Sequence, residues 1–165
     1  MRRTLRDSRP PGRVGSTAGL GPALKEFLLA AMRRRRSPCH HDRVRLRCLL
    51  VDDNDAFLEA ARVLLEREGV TVVGVARAIA EALRQARALR PDLILVDIGL
   101  GDESGFDLAR RLARDGQGGG ATVILISMGA EADYAELIAE SPAAGFLAKS
   151  ELSALGIGRI LGHSP

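Results

Sequence analysis

The sequence contains few aromatic residues and few cysteines. Aromatic side chains make up 3% of its 165 residues and Trp is absent, so a folded core must consist of aliphatic and small side chains. The two cysteines, Cys39 and Cys48, are too few for a disulfide framework. We therefore expect a protein of the reducing cytoplasm rather than a disulfide-stabilised secreted domain.

Long hydrophobic runs are also missing. The longest apolar run near the start, Phe27–Met32, is far shorter than the about 20 residues that a membrane-spanning helix needs. The pair Arg2-Arg3 is not followed by the apolar region of a signal peptide. The sequence therefore predicts neither a membrane span nor secretion.

Charge divides the chain into two parts. Residues 1–47 carry 13 basic and 3 acidic side chains (net +10), whereas residues 48–165 carry 11 basic and 18 acidic ones (net −7). Residues 1–45, rich in Arg, Gly, Pro and Ser near their start, are predicted to form a disordered basic extension. Within it, residues 23–36 could form a short amphipathic helix, and Cys39-His40-His41 lacks the second ligand pair of a zinc site.

From residue 46 to residue 163, short apolar runs alternate with amphipathic segments, which predicts one α/β domain with a five-stranded parallel sheet. Asp55 is expected to cap the first helix, and Ser104 with Asp107 resembles a capping box. A loop is expected over 98–103. The predicted strands cover 48–51, 70–76, 93–96, 122–126 and 145–148, and the predicted helices cover 56–68, 78–89, 106–115, 132–140 and 152–161.

Polar residues that can carry chemistry follow four of these strands: Asp52-Asp53, Asp97, Ser127 and Lys149. The carboxyl ends of parallel strands share one edge of a sheet, where ligands bind, so these groups should converge. Three close carboxylates repel one another unless a cation joins them, and their oxygens suit Mg²⁺. Ionised Asp97 could attack phosphorus, while the Ser127 hydroxyl and the Lys149 ammonium could bind phosphoryl oxygens.

Lys149 is the only lysine among the 11 basic residues after position 47. A compact ammonium at a strand end is typical of a place that needs a point charge, which the planar guanidinium of arginine does not provide. A surface lysine at this position by chance is the alternative.

Four stretches carry a family resemblance: LLVDDNDAF (49–57), PDLILVDIGLGDESGFDLARRL (91–112), VILIS (123–127) and AAGFLAKSEL (143–152). Together they resemble the response-regulator receiver family of two-component signalling, over about residues 47–161. This resemblance implies a flavodoxin-like (βα)5 fold. It also implies that Asp97 is the phosphoacceptor for a sensor histidine kinase or a histidine phosphotransfer protein.

The resemblance further implies a role for each matching residue. Asp53 would bind Mg²⁺ directly, together with Asp97 and the Gly99 backbone carbonyl, while Asp52 would act largely through water. Ser127 and Lys149 would hold the phosphoryl group. Ser127 would also act in a conformational switch with Phe146, which stands where the family places its switch aromatic and could equally be a core ring.

As a receiver, the chain would catalyse only its own phosphorylation and dephosphorylation, and would signal by contact with an unknown downstream protein. A phosphorylation-dependent homodimer is compatible with the resemblance, and specific nucleic-acid binding is not expected. The last predicted helix uses most of the residues after Lys149, so we expect a stand-alone receiver.

Two positions depart from the family pattern. Met128 stands where the family usually has a small residue beside the phosphoryl group, which puts the rate of transfer in question. Ser150 follows Lys149 in place of the common proline, so a cis peptide bond is not indicated there.

Three other functions compete with this interpretation. A haloacid-dehalogenase-type phosphatase also uses an Asp nucleophile, a hydroxyl and a Lys, but needs a further acidic pair after the Lys, where only Glu151 occurs. A pseudo-receiver would bind partners without phosphorylation. A nucleic-acid protein would use the basic extension, in which Phe27 is the only aromatic residue.

Overall fold

The computed structural model describes residues 45–114, 116 and 118–162. The predicted disordered extension, the helix suggested for residues 23–36 and the Cys39-His40-His41 cluster therefore lie outside the described residues. No helix within the described ranges is long and apolar enough to cross a membrane.

Strands and helices alternate along the domain, as the sequence predicts. The strands are β1 (Arg47–Val51), β2 (Thr71–Ala76), β3 (Leu93–Asp97), β4 (Gly99–Leu100), β5 (Glu103–Ser104), β6 (Thr122–Ser127) and β7 (Gly145–Ala148). The α-helices are α1 (Asp55–Arg67), α2 (Ile79–Leu89), α3 (Gly105–Arg114), α4 (Ala135–Glu140) and α5 (Ala154–Ile160), and 3-10 turns cover Glu131–Tyr134 and Lys149–Glu151.

Five strands form one parallel sheet in the order β2-β1-β3-β6-β7. Leu50 of β1 lies opposite Leu95 of β3, and Leu95 lies opposite Ile124 of β6. Because β1 and β3 are central and buried, they are continuous apolar runs rather than alternating ones. The sheet thus has the flavodoxin-like architecture that the resemblance implies.

Alternate residues of each strand enter different cores on the two faces of the sheet. Cys48 and Leu50 pack with Phe57 of α1 and Ile157 of α5. The core on the opposite face includes Leu49 and Val51, together with side chains of α2 and α3. Each face of the sheet is therefore covered by helices, and the parallel pairing places the carboxyl ends of all five strands at one edge.

Helix beginnings are where the sequence predictions need correction. Asn54, not Asp55, caps α1, since its side chain accepts a hydrogen bond from the Phe57 backbone N–H at 3.0 Å. Asp55 instead forms an ion pair with Arg77. Ser104 accepts from the Phe106 N–H at 3.3 Å, but Asp107 binds Arg110 rather than completing a capping box.

Three segments differ from the sequence prediction. The region expected to be a loop, 98–103, contains β4 and the first residue of β5, which together form a short antiparallel hairpin. The expected helix 132–140 is divided into a 3-10 turn and the short α4, and none of its residues is buried. The last helix begins at Ala154 rather than residue 152, with Ser153 as its cap.

Candidate functional site

The polar residues predicted at the strand ends lie at one edge of the sheet. Asp52 and Asp53 follow β1, whereas Asp97 and Ser127 are the last residues of β3 and β6. Lys149 directly follows β7, whose Ala148 lies opposite Ser127. The parallel register therefore brings together groups that are far apart in the sequence.

Lys149 forms two buried ion pairs. Its Nζ lies 2.5 Å from Oδ2 of Asp52 and donates a hydrogen bond of 3.0 Å to Oδ2 of Asp97. Asp52, Lys149 and Asp97 are 1%, 5% and 8% exposed, so water screens these charges weakly. A buried lysine with two carboxylate partners is not a chance surface residue, so the point-charge interpretation of Lys149 is the one that the geometry supports.

Phe57 completes the environment of Lys149. The Lys149 Nζ lies 4.4 Å from the centroid of the Phe57 ring, a cation–π contact. From the sequence, Phe57 is predicted only as part of a helix, because an apolar residue in an amphipathic helix is typical of any core. Its position four residues after Asp53 offers no further indication, since the contact depends on where the fold places Lys149, 92 residues further along the chain.

Burial perturbs both buried carboxyl groups. Removal from water raises the pKa of Asp97 to about 6, against the opposing effect of the Lys149 ammonium, while the Asp52 charge raises it further. A backbone hydrogen bond from Gly99 partly stabilises the Asp97 carboxylate. Burial likewise raises the pKa of Asp52, and Lys149 again opposes the shift. Ionisation of Asp52 and Asp97 in this buried site therefore costs free energy, and a further cation would lower that cost.

The donor set fits a divalent cation. Carboxylate oxygens of Asp52, Asp53 and Asp97 lie within 4.8 Å of one another. Mg²⁺ binds oxygen at about 2.1 Å, so oxygens on one ion lie within about 4 Å of one another, which is close to this spacing. The three carboxylates exceed the single ammonium of Lys149 in charge, and a hard oxygen-binding cation would neutralise the excess.

Ser127 ends β6, the strand next to that of Asp97, and Phe146 lies opposite Leu125 in the adjacent β7. The buried Ser127 accepts a hydrogen bond on Oγ from the Gly129 N–H at 3.1 Å. Phe146 is half-buried, and its ring centroid lies 6.5 Å from that of Tyr134. A Cβ added at Gly129 would lie 3.0 Å from a Tyr134 ring atom, so Tyr134 packs against the loop after Ser127. The sequence analysis did not single out Tyr134.

The residues that depart from the family pattern are exposed. Met128 is 48% exposed. The residue after Lys149, Ser150, is exposed, and no cis peptide bond occurs in the described part of the chain. Glu151, the acid that the phosphatase alternative would require, is exposed within the 3-10 turn, outside the three-carboxylate group.

Curated relatives match this domain over part of their length. A putative transcriptional regulator of Pseudomonas aeruginosa is 37% identical over 103 residues, which are 62% of this chain and 49% of that protein. The response regulator GacA of Pseudomonas viridiflava is 30% identical over 105 residues, 63% of this chain and 48% of GacA. The chain thus spans about half the length of these relatives.

Solved structures share the fold. The signal receiver domain of the putative response regulator NarL from Mycobacterium tuberculosis aligns with a TM-score of 0.63 and 28% identity, covering 72% of this chain and 94% of that one. A CheY-like receiver domain protein from Methanospirillum hungatei aligns with a TM-score of 0.54 and 26% identity, covering 64% and 82%. The family model of the response regulator receiver domain matches residues 48–155. This chain therefore belongs to the response regulator receiver domain family, and its place is in two-component signalling.

Proposed function

We propose that this chain is a phosphoacceptor, and that Asp97 takes a phosphoryl group from a phosphohistidine of a sensor kinase or a phosphotransfer protein. The observation that carries the proposal is the convergence of Asp52, Asp53 and Asp97 within 4.8 Å, with Lys149 held 3.0 Å from Asp97. Phosphoryl transfer requires chiefly positioning and charge neutralisation, and this arrangement provides both.

In the proposed reaction, a carboxylate oxygen of Asp97 attacks phosphorus, a P–O bond forms, and the P–N bond to the donor imidazole breaks. The freed imidazole nitrogen keeps the bonding electron pair. The Lys149 ammonium, already bonded to Asp97, is placed to neutralise phosphoryl oxygens, and Ser127 at the adjacent strand end is placed to donate its hydroxyl proton to one. Hydrolysis of the resulting acyl phosphate would return Asp97 to its carboxylate.

Asp52, Asp53, Asp97 and the Gly99 carbonyl are the groups that would hold Mg²⁺. Bound there, Mg²⁺ would neutralise charge that develops on the transferred phosphoryl group. The roles of Asp53 and Gly99 as direct ligands, and of Asp52 through water, belong to this proposal. The buried contact with Lys149 fixes the position of the Asp52 carboxylate.

The proposed unit of function is the domain of residues 46–163, acting in the cytoplasm with only its own phosphorylation and dephosphorylation as chemistry. We place its output in protein contacts, including a downstream partner and a phosphorylation-dependent homodimer. The matched relatives include a putative transcriptional regulator, but this chain spans about half of that protein. Its effect on transcription is therefore not part of the proposal.

Intact-mass analysis after incubation with acetyl phosphate and Mg²⁺ tests the proposal. The unaltered chain should gain the mass of one phosphoryl group, and EDTA should abolish the gain. Asp97→Asn should gain none, because an amide is not a nucleophile toward phosphorus. Asp53→Ala should slow the gain, whereas Asp107→Asn, which alters an exposed acid on α3, should behave as the unaltered chain. An unphosphorylated chain under these conditions would instead favour the pseudo-receiver.

A further inference from the structure

The β4–β5 hairpin borders the acidic cluster. Its first residue, Gly99, lies two residues after Asp97, the last residue of β3. At its turn, Gly101 has φ +61°, and a Cβ built there would lie 3.7 Å from Oδ2 of Asp53. The hairpin thus lies beside two of the three clustered carboxylates, those of Asp53 and Asp97.

The base of the hairpin is fixed by close backbone packing. The Gly105 N–H donates to the Ile98 carbonyl at 2.9 Å. A Cβ at Gly105 would lie 2.1 Å from the Asp97 carbonyl oxygen, so only glycine allows this approach. Leu100 adds a buried side chain to the core that contains Ile79. These contacts fix the base of the hairpin and its first strand, but none of them holds the start of β5 at Glu103 to the rest of the domain.

Glu103 provides the contact for the second strand. Its Oε2 accepts a hydrogen bond of 2.9 Å from the backbone N–H of Ile79, the first residue of α2. Ala78, the N-cap residue of α2, has no side-chain acceptor, so a residue 24 positions away satisfies this end of the helix. A carboxylate is also favoured at a helix N-terminus, where the backbone N–H groups carry partial positive charge.

We propose that Glu103 is a positioning residue for the magnesium and phosphoacceptor site. By tying β5 to the start of α2, it holds the paired strand β4, and with it the Gly99 carbonyl that the proposed function gives to Mg²⁺. Glu103 itself contacts neither the cation nor Asp97. The inference rests on the proposed function, because that function defines the site that Glu103 positions.

Three substitutions separate positioning from charge and from helix capping. Glu103→Ala removes the acceptor, whereas Glu103→Gln keeps an acceptor oxygen and removes the charge. Asp102→Ala removes a neighbouring exposed acid outside the Ile79 contact, and so controls for the electrostatic attraction of Mg²⁺. Each variant is made in the full chain, and its Mg²⁺ dissociation constant is measured by isothermal titration calorimetry.

Glu103→Ala should raise the Mg²⁺ dissociation constant about fivefold to tenfold, as loss of a supporting contact around a metal site commonly does. Glu103→Gln and Asp102→Ala should stay within about twofold, because the weak field of one exposed charge is screened at physiological salt. With acetyl phosphate, Glu103→Ala should need more Mg²⁺ for half-maximal phosphorylation. Its maximal rate at saturating Mg²⁺ should stay close to that of the unaltered chain.

Urea unfolding in EDTA distinguishes a plain helix cap from a positioning residue. A lower unfolding midpoint for Glu103→Ala with an unchanged Mg²⁺ dissociation constant would overturn the inference and leave Glu103 as a cap. Equal losses in Glu103→Gln and Glu103→Ala would overturn it too, since charge alone would then be responsible. Failure of the proposed function would give a different result: the unaltered chain itself would neither bind Mg²⁺ nor gain a phosphoryl group.

Discussion

The ammonium of Lys149 lies over the ring of Phe57, 4.4 Å from its centroid, while its hydrogen-bonding face is turned to Asp52 and Asp97. The ammonium therefore contacts the ring of Phe57 on one side and the two carboxylates on the other. A cation–π contact in a buried site contributes on the order of 1–2 kcal/mol. Phe57 thus helps to place the ammonium that pairs with Asp52 and Asp97.

Phe57→Leu should slow phosphorylation of Asp97 by acetyl phosphate about threefold to tenfold, because Lys149 loses the ring that holds it. The measurement is the initial rate of phosphoryl mass gain at saturating Mg²⁺. Phe106→Leu is the matched control, since Phe106 is buried to a similar degree, 4% exposed against 2%, in the core on the other face of the sheet. Equal rate losses in both variants would point to general destabilisation and contradict the assigned role.

The raised pKa of Asp97 makes the stability of the metal-free protein depend on pH. The folded group has a pKa of about 6 against an ordinary 3.8, so between these values the folded chain binds more protons than the unfolded one. The stability that the protonated group contributes is fully present below about pH 4 and is lost as pH rises through about 6. Above pH 6, the folded protein therefore bears the cost of a buried charge.

Asp97→Asn should remove that cost. In EDTA at about pH 7.5, the variant should be more stable than the unaltered chain by on the order of 1 kcal/mol, and the difference should shrink toward about pH 4.5. Urea unfolding at both pH values measures it. Mg²⁺ should raise the unfolding midpoint of the unaltered chain and not that of the variant. The exposed Asp107→Asn serves as control, and a stability difference independent of pH would contradict the argument.

The strand ends could be predicted from the sequence because their causes are local. The runs 48–51 and 93–96 contain only apolar residues and end at aspartates, a pattern typical of strands buried on both faces. Parallel connectivity then places Asp52, Asp97 and Lys149 at one edge without any knowledge of their contacts. The cluster of carboxylates around a lysine follows from pattern and topology alone.

Other features could not be predicted because they depend on contacts between distant segments. Asn54 and Asp55 are both good cap residues, and only the backbone conformation decides that Asn54 caps while Asp55 pairs with Arg77. The Glu103–Ile79 hydrogen bond joins a hairpin to a helix 24 positions away, and no periodic pattern marks it. The division of the expected helix 132–140 reflects its exposed position, where little apolar burial supports a longer helix.

The charge of the N-terminal extension predicts a separate property. Residues 1–47 carry a net charge of +10, so the full chain should bind DNA weakly, without sequence preference, and with an affinity that falls steeply as salt increases. Removal of residues 1–45 should abolish this binding and leave phosphorylation of Asp97 unchanged. Fluorescence anisotropy with two unrelated duplexes over a salt series measures it. A preference for one duplex that survives the truncation would show that the domain itself reads DNA.

We expect Ser127 to transmit the proposed phosphorylation of Asp97 to the surface near Phe146. Its Oγ now accepts from the Gly129 N–H, and the Tyr134 ring packs against Gly129 and lies near Phe146. Phosphoryl oxygens on Asp97 should draw the Ser127 hydroxyl inward and break the Gly129 contact. The rings of Tyr134 and Phe146 can then repack into the vacated space, so the predicted bistable element covers about residues 127–152.

Hydrogen–deuterium exchange with and without beryllofluoride, which mimics a phosphoryl group on Asp97, tests this switch. Exchange should change across residues 127–152 and stay constant in α2, on the other side of the sheet order. Ser127→Ala should lose at least half of the change, because no hydroxyl is left to follow the ligand, and Asp97→Asn should lose all of it. Ser141→Ala, which removes a hydroxyl bonded within the α4 C-terminus, is the matched control and should respond fully. Unchanged exchange over 127–152 in the unaltered chain would exclude the switch. A ligand shifts the equilibrium between two conformations only when it binds one of them more tightly than the other.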